Sequence, residues 1–209
     1  MVVSLRDFFM GKKVIAIVGT YRKGRTIDSA VDEVLNSAKA AGAQTEKIYL
    51  LDKNIEFCTN CRSCVQQIGE KRGECVINDD MKEILDKIDA ADGIVLAAPV
   101  NWFNITAIMK RFIERLMPYG YWPWGKAIPK NRIKKLTKKA VIITSSGAPA
   151  FIGRILFRNT LYTLKTAANC FGAKVVKKNF MGLSAIQKEQ ILSEKYKKQL
   201  KTAGAMLAG

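Results

Sequence analysis

Short apolar runs rich in β-branched residues alternate along this chain with segments whose apolar residues recur at helical spacing. The first run is residues 13–18 (KVIAIV). One apolar helix face follows it and ends before Gly42: Ile27, Ala30, Val31, Val34, Leu35 and Ala38. Alternation of this kind is typical of βαβ units. It predicts an α/β fold with a doubly wound, five-stranded parallel sheet and helices on both faces.

The remaining apolar segments predict four further strands and four further helices. The strands are residues 45–51, 93–98, 139–145 and 174–183, and the helices are residues 80–88, 105–116, 152–171 and 185–207. Two connections, residues 52–79 and 117–138, are too long to be simple links. Connections of this length in compact α/β domains are usually functional or disordered.

The chain has 209 residues, of which 48% are hydrophobic, enough for one substantial core. We expect a single domain over residues 1–209 with its core in residues 12–184. No apolar stretch reaches the roughly 18 to 20 residues that span a bilayer. Arg6 and Asp7 interrupt the apolar N-terminal segment, so we expect a soluble protein without a signal peptide or a membrane span. The cysteines do not have the spacing of a secreted disulfide framework, so we expect a cytoplasmic protein.

Charge and composition narrow the chemistry further. The 35 Lys and Arg outnumber the 18 Asp and Glu, which gives a formal charge of +17 and would attract anionic partners. No nucleic-acid module accompanies this charge, so we interpret it as a solvated basic surface and expect no nucleic-acid partner. The chain has no histidine, the most frequent general base and zinc ligand. Its chemistry must therefore depend on a cofactor.

Residues 19–26 (GTYRKGRT) follow the first strand and lead directly into the first predicted helix. Backbone N–H groups, hydroxyls and three basic side chains would meet there at the positive end of the helix dipole. This arrangement predicts a phosphate site. A Walker A loop would need a lysine where Arg25 stands, and the third strand supplies no acidic residue for Mg²⁺. A polar, solvent-facing loop is the other alternative, and the absence of G-x-G-x-x-G disfavours a dinucleotide fold.

Four of the five cysteines lie close together in the sequence. They form the pattern C-x2-C-x2-C-x10-C: Cys58, Cys61, Cys64 and Cys75. Thiolates at such short spacing can hold a [4Fe-4S] cluster or a structural zinc, or can remain free or disulfide-forming thiols. We expect Arg62, Lys71 and Arg72 to lower the thiol pKa values. Cys170 has apolar neighbours and is expected to serve packing.

The order of the motifs resembles the flavodoxin-like NADPH-dependent FMN reductase family, and particularly its iron-sulfur flavoprotein branch. The segments that carry the resemblance are GTYRKGRT, CTNCRSC with GECVINDDM, AAPVNWFNIT and TSSGAP, spread over residues 13–183. The family's last cysteine gap is usually shorter than the ten residues here. The resemblance implies a flavodoxin-like fold that binds FMN at the carboxyl ends of the strands, as open parallel sheets commonly do.

The resemblance also implies the roles of individual residues. Thr20, Arg22 and Thr26 would hold the FMN phosphate, with Lys23, Gly24 and Arg25 lining the loop. The isoalloxazine would lie along Pro99, Val100, Asn101, Trp102, Phe103 and Asn104, and Ser145, Ser146 and Gly147 would close the other side. The family often has tyrosine and glycine where this chain has Asn101 and Phe103. The alternative for Trp102 and Phe103 is ordinary core packing.

The expected activity is that of an FMN-dependent NAD(P)H oxidoreductase. Electrons would pass from a nicotinamide through FMN to a small-molecule or redox-protein acceptor, and the flavin would carry the chemistry. The alternative is an iron-sulfur flavoprotein that carries electrons between a ferredoxin-like donor and an acceptor. A regulatory flavin-binding or scaffold protein is a third possibility.

Residues 117–138 combine aromatic and basic side chains. Tyr119, Tyr121, Trp122 and Trp124 precede a run without acidic residues that contains Lys126, Lys130, Arg132, Lys134, Lys135 and Lys138. Large aromatic side chains seldom stay exposed in a soluble monomer. We expect them to pack at a homodimer interface beside the flavin, as the resemblance also implies. The alternative is a satellite core within their own domain.

Overall fold

A computed structural model describes residues 11–186 and 191–209 of the chain. Its centre is a five-stranded parallel sheet. The five strands are β1 (Lys13–Val18), β2 (Gln44–Tyr49), β3 (Gly93–Ala97), β8 (Lys138–Ser145) and β9 (Ala173–Met181). Their order in the sheet is β2-β1-β3-β8-β9. The predicted doubly wound, flavodoxin-like α/β fold is confirmed.

Two short antiparallel hairpins lie outside this sheet. The first consists of β4 (Val100–Asn101) and β5 (Asn104–Ile105), directly after β3. The second consists of β6 (Gly120–Tyr121) and β7 (Lys130–Asn131), within the aromatic and basic connection. The alternation of apolar runs predicts neither hairpin, because each strand has only two residues.

The described part of the chain also contains six α-helices, besides short 3-10 helices at Leu50–Asp52, Ser63–Val65 and Met117–Tyr119. The α-helices are α1 (Thr26–Ala40), α2 (Met81–Ala90), α3 (Ala107–Glu114), α4 (Ala150–Leu156), α5 (Arg158–Cys170) and α6 (Glu194–Ala208). None of the helices in residues 11–186 and 191–209 is long and apolar enough to cross a membrane.

The side chains of β1 alternate between two separate cores. Val14, Ala16 and Val18 pack on the face that α1 and α6 cover. Ile15 and Ile17 pack on the opposite face, which α2, α3 and α5 cover. Successive side chains of a strand point to opposite faces, so a strand that is apolar throughout must be covered on both sides.

Two predicted helices differ from the structure. The helix predicted over residues 152–171 is two helices, because the chain turns at Phe157 (φ −106°, ψ 29°). Gly153 is the buried residue of α4, and a side chain there would collide with the Phe180 ring. The closing helix begins only at Glu194, where the Ser193 hydroxyl accepts a hydrogen bond from the Tyr196 amide.

Some predictions fall on residues that the structure does not describe. The apolar N-terminal segment with Arg6 and Asp7 belongs to residues 1–10 and lies outside the described residues. The same holds for residues 187–190 of the predicted closing helix. Elsewhere the strand ends agree with the prediction to within two residues, and β1 has the predicted bounds.

Candidate functional site

Three segments that follow β1, β3 and β8 meet at the carboxyl edge of the sheet. The Gly19 amide donates to the Ala97 carbonyl (2.8 Å), and the Ala98 amide donates to the Ile143 carbonyl (3.1 Å). These bonds continue the strand pairing beyond the ends of the strands. Because β2 and β3 flank β1 on opposite sides, the strand order reverses here, and open α/β sheets bind ligands at such a point.

Thr106 fixes the first of these segments from the other side. Its buried hydroxyl donates to the Gly19 carbonyl (2.6 Å) and accepts from the Met109 amide (3.4 Å), which caps α3. A Cβ on Gly19 would lie 2.7 Å from the Cβ of Met109, so this position has no room for a side chain. We did not predict Thr106 from the sequence, although threonine directly before an apolar helical segment is a recognisable cap signal.

The predicted phosphate loop turns tightly into α1. The buried Thr20 hydroxyl accepts from the Arg22 amide (3.2 Å), while the Arg22 side chain is exposed. Gly24 has φ +71°, a left-handed conformation that glycine adopts without strain. Arg25 is the N-cap residue of α1 and makes no side-chain capping bond. The positive end of the helix dipole therefore lies directly behind the loop.

Asp28, in the first turn of α1, supports this loop from below. One carboxylate oxygen accepts from the Gly24 amide (2.5 Å), and the other accepts from Lys47 Nζ and the Tyr49 hydroxyl, both at 2.8 Å. Burial alone would raise the pKa of Asp28, but these hydrogen bonds outweigh it and hold the pKa below its usual value. We did not predict Asp28 from the sequence, because a lone acidic residue in a first turn is common.

Lys23 points away from the centre of the loop. Its ammonium pairs with both carboxylate oxygens of Asp52, at 2.6 and 2.5 Å, and lies 4.7 Å from the centroid of the Tyr49 ring. The ion pair is about half exposed. Lys23 therefore braces the loop against the end of β2.

The hairpin β4–β5 presents two aromatic side chains to solvent. Trp102 and Phe103 form its tip with φ values of 46° and 62°, and they are 91% and 69% exposed. The alternative of core packing for these two residues is therefore wrong. Left-handed geometry at bulky residues costs free energy and is concentrated at functional sites. Asn101 pairs with Asn104 behind the tip, and the Phe103 ring lies 5.8 Å from that of Phe157.

The third segment contributes mainly its backbone. Ser145 and Ser146 are buried, whereas Gly147 is exposed. The Ser146 carbonyl accepts from both the amide (2.9 Å) and the hydroxyl (2.8 Å) of Ser184, and the Ser146 hydroxyl lies 3.4 Å from the Ala148 carbonyl. No pattern in the sequence singles out Ser184.

All four clustered cysteines line one small cavity, although none forms a disulfide. Left-handed turns at Asn60 and Arg62 reverse the chain between the first three. Burial raises the pKa of Cys64 to about 11, and the negative charge of the other three thiolates adds to the shift. Cys61 is exposed, and hydrogen bonds from Ser63 lower its pKa.

Four thiols around one cavity are the donor set that an iron-sulfur cluster or a zinc ion requires, so the residues fit such a group chemically. Within residues 11–186 and 191–209, however, no three Cys, Asp or Glu side chains are arranged to hold a single metal ion. The site in this conformation therefore has the ligands of a metal centre without its closed coordination geometry.

The two arginines that we expected to act on the thiols, Arg62 and Arg72, contact other groups. The Arg62 guanidinium lies between the rings of Trp122 and Trp124, 3.9 and 4.1 Å from their centroids. Arg72 pairs with Asp86 and Asp89. Hydrogen bonds from Ser63 lower the pKa of Cys61, whereas burial and the neighbouring thiolates raise that of Cys64, so the prediction that these two arginines lower the thiol pKa values is wrong.

Arg115, which follows α3, is the arginine that contacts a thiol. Its guanidinium donates to Cys75 Sγ (3.5 Å), to the Glu56 carbonyl (2.8 Å) and to both carboxylate oxygens of Asp79, at 2.5 and 3.1 Å. The side chains of Arg115 and Asp79 are 2% and 0% exposed. The pair anchors the cysteine connection to the end of α3. We did not predict this pair from the sequence, because Arg115 falls within a predicted helix with no sign of burial.

The aromatic and basic connection packs in part on its own domain. Tyr119 is buried and donates to Asp89 (2.8 Å), and the Trp122 amide donates to the Val65 carbonyl (2.8 Å). Arg132 is buried as well and donates to backbone carbonyl groups, so the predicted basic run is not uniformly solvated. Trp124 remains 67% exposed. The satellite-core alternative thus holds for Tyr119 and only incompletely for the tryptophans.

Residues 12–187 match the sequence profile of the family described as NADPH-dependent FMN reductase. The matched range contains the three segments at the carboxyl edge and all four clustered cysteines. The chain belongs to this family. The family resemblance that the ordered motifs carry is therefore confirmed.

Curated proteins similar to this chain include iron-sulfur flavoproteins, the branch of the family that its motifs resemble. An iron-sulfur flavoprotein of Archaeoglobus fulgidus is 37% identical over 111 residues, 53% of this chain and 48% of that protein. An iron-sulfur flavoprotein of Methanosarcina thermophila is 36% identical over 103 residues, 49% of this chain and 51% of that protein. The similarity thus spans about half the length of the curated relatives.

Solved structures of the same fold match nearly the whole length of this chain. An NAD(P)H:quinone oxidoreductase from Methanothermobacter marburgensis has a TM-score of 0.69 at 15% identity and covers 93% of this chain and 98% of its own. An FMN-dependent NADH-azoreductase from Bacillus anthracis, in complex with FMN, has a TM-score of 0.67 at 16% identity and covers 96% and 100%. At these identities the likeness establishes the fold.

We expect Arg115→Met to destabilise this family member strongly, because Asp79 would remain buried without its counter-charge. The loss should be about 3–5 kcal/mol of unfolding free energy in urea denaturation. Lys110→Met is the matched control, since Lys110 and Glu114 form an exposed ion pair on α3. It should change the free energy by less than about 0.5 kcal/mol.

The pH dependence checks the same pair. Burial would raise the pKa of Asp79, but the hydrogen bond from Arg115 and those from two backbone amides lower it overall. Because the pKa of Asp79 is lower in the folded than in the unfolded state, its carboxylate stabilises the fold at neutral pH. This contribution is lost as the pH falls through the pKa of the folded state. The stability difference between the parent and Arg115→Met should therefore narrow in acid. A difference independent of pH would contradict the role of the pair.

Proposed function

We propose that this chain is an FMN-dependent NAD(P)H oxidoreductase that passes electrons from a nicotinamide to a small-molecule or redox-protein acceptor. The observation that carries the proposal is the basic loop of residues 20–26, held in a fixed conformation at the N-terminus of α1 and joined by two further segments at the same sheet edge. A dianionic phosphate is the ligand that such a loop favours.

In this proposal Thr20, Arg22 and Thr26 hold the FMN phosphate. The Thr20 hydroxyl already accepts from the Arg22 amide, so its own proton is available to donate. The Arg22 side chain is exposed. Within residues 11–186 and 191–209, it has no hydrogen bond or ion pair that would have to break before it pairs with a phosphate. Lys23, Gly24 and Arg25 line the loop, with Lys23 acting through its ion pair with Asp52.

The isoalloxazine would lie between the two other segments. Residues 99–104 would offer backbone N–H groups to its polar edge, and Ser145, Ser146 and Gly147 would border the other side. Bound FMN would supply the redox chemistry, taking up two electrons and releasing them one or two at a time. The exposed rings of Trp102 and Phe103 would exclude water from the site. The proposed chemistry requires no histidine, because the flavin carries it.

The phosphate assignment predicts different effects for two neighbouring side chains. Arg22→Ala should weaken FMN binding by roughly 1.5–3 kcal/mol, because it removes a charge-assisted contact. Lys23→Ala should change it by less than about 1 kcal/mol, because the ammonium is committed to Asp52. Quenching of flavin fluorescence measures both. Unchanged FMN affinity in Arg22→Ala would refute the assignment.

We further propose that Cys58, Cys61, Cys64 and Cys75 hold a [4Fe-4S] cluster. Support comes from the shared cavity and from relatives named iron-sulfur flavoproteins. A structural zinc is the competing occupant. A cluster in the same domain as the flavin would also suit the second candidate function, an electron carrier between a ferredoxin-like donor and an acceptor. The basic surface of the chain fits an acidic protein of that kind.

Anaerobic protein should contain about four irons per chain, and Cys61→Ser should lose them. Cys170→Ser should retain them, because Cys170 lies in a helix outside the cluster. In an oxidoreductase, the FMN-loaded parent consumes NAD(P)H without any partner protein, and iron-free Cys61→Ser still does so. Absence of NAD(P)H consumption by the parent would favour the electron carrier. Zinc in place of iron would refute the cluster.

A homodimer that covers the aromatic connection also remains a proposal. Trp124 is 67% exposed, and an apolar groove of about 520 Å³ lies between this connection and α5, lined in part by Trp122 and Tyr162. An exposed aromatic next to an apolar groove is typical of an interface centre.

The dimer predicts that Trp124→Ala weakens self-association by at least about 2 kcal/mol and loosens FMN binding as well. Sedimentation and flavin titration measure the two effects. Leu51→Ala, at an exposed position next to β2, is the control and should change neither. A monomeric parent, or a Trp124→Ala variant that dimerises and binds flavin normally, would exclude this interface.

A further inference from the structure

A buried carboxylate lies directly behind the candidate phosphate site. Asp28 is 3% exposed and accepts the Gly24 amide at 2.5 Å, although this part of the loop is proposed to face a dianion. A negative charge in this position repels a phosphate and lowers its affinity by electrostatics alone. Its presence therefore requires a compensating role.

The second oxygen of Asp28 is fully committed to the end of β2. Lys47 Nζ and the Tyr49 hydroxyl both donate to it at 2.8 Å. Lys47 is itself largely buried, with a side-chain exposure of 20%, and its ammonium lies 5.1 Å from the centroid of the Tyr49 ring. The carboxylate is thus neutralised on one side and cannot rotate without breaking these contacts.

The Gly24 amide depends on this carboxylate for its orientation. Gly24 has φ +71°, and its position has open space around it, with no atom within 4 Å of an added Cβ. Packing therefore does not hold this residue in place. The hydrogen bond to Asp28 supplies what packing does not, and it fixes the turn that leads into α1.

We infer that Asp28 is a positioning residue of the phosphate loop: held by Lys47 and Tyr49, it fixes the Gly24 amide and so preorganises the loop for the FMN phosphate. This inference rests on the proposed function and deepens it. Preorganisation raises affinity because the ordering cost is met before the ligand arrives.

Positioning and electrostatics predict opposite effects for Asp28→Asn. Removing the negative charge alone would tighten FMN binding. Removing the support of the loop weakens it, since an asparagine that keeps the Gly24 bond must turn its NH₂ donors towards Lys47 and Tyr49. The sign of the change therefore separates the two explanations without reference to catalysis.

The experiment compares FMN with riboflavin, which lacks the phosphate, by fluorescence titration of the apoprotein. The dissociation constant of riboflavin divided by that of FMN isolates the phosphate contribution. We expect Asp28→Asn to reduce this ratio at least about tenfold, a loss typical of a charge-assisted bond, and to leave riboflavin binding within about twofold. Asp32→Asn is the matched control: Asp32 bonds the same lysine at 2.5 Å but is half exposed and does not contact the loop. Its ratio should stay within about twofold of the parent.

Tyr49→Phe provides a second variant in case Asp28→Asn folds poorly. It removes one donor to Asp28 without altering a charge, so the dissociation constant of riboflavin divided by that of FMN should fall by about threefold. Amide hydrogen exchange in residues 20–26 of the apoprotein should also become faster in both variants. An unchanged or increased ratio in Asp28→Asn or Tyr49→Phe overturns the positioning role alone. A parent that binds FMN no more tightly than riboflavin overturns the phosphate site and this inference together.

Discussion

The hydrogen bonds of β1 to β2 on one side and β3 on the other determine where the candidate site can lie. Both neighbours pair with β1 in parallel along its length, so connections leave in opposite directions above its carboxyl end. The Gly19 amide continues the pairing to Ala97 and leaves the next residues free to turn over the helix N-terminus. Thr106 then fixes the Gly19 carbonyl, and any side chain on Gly19 would strike Met109. The phosphate loop therefore begins at a point that sheet and helix define together.

Two acid-base pairs, each with a buried carboxylate, hold the candidate phosphate loop and the cysteine connection against this framework. Asp28 and Lys47 support the phosphate loop, and Asp79 and Arg115 support the cysteine connection. In each case both oxygens of the carboxylate have hydrogen-bond donors, which is the condition under which a buried charge is tolerated. Such pairs contribute orientation more reliably than net stability.

Helix α3 connects the two candidate centres. Its cap, Thr106, contacts the start of the phosphate loop, and Arg115 at its other end contacts Cys75. Nine residue steps of an α-helix separate these positions by about 14 Å. A displacement of α3 would consequently change both ends at once. If FMN and a cluster both bind, this helix gives them a fixed separation.

The sequence by itself determined the fold class, the five strands and the position of the basic loop proposed to bind phosphate, because hydrophobic periodicity and a glycine-containing basic turn are local signals. It also identified the cysteine set by spacing alone. It could not reveal that Asp28, Thr106 and Arg115 support these loops, since their partners lie far away in the chain and only folding brings them together. It assigned Arg62 and Arg72 to the thiols because they are neighbours in sequence. In the tertiary structure Arg62 lies between two tryptophan rings and Arg72 pairs with carboxylates. Stacking and ion pairing between residues distant in the sequence determine these positions.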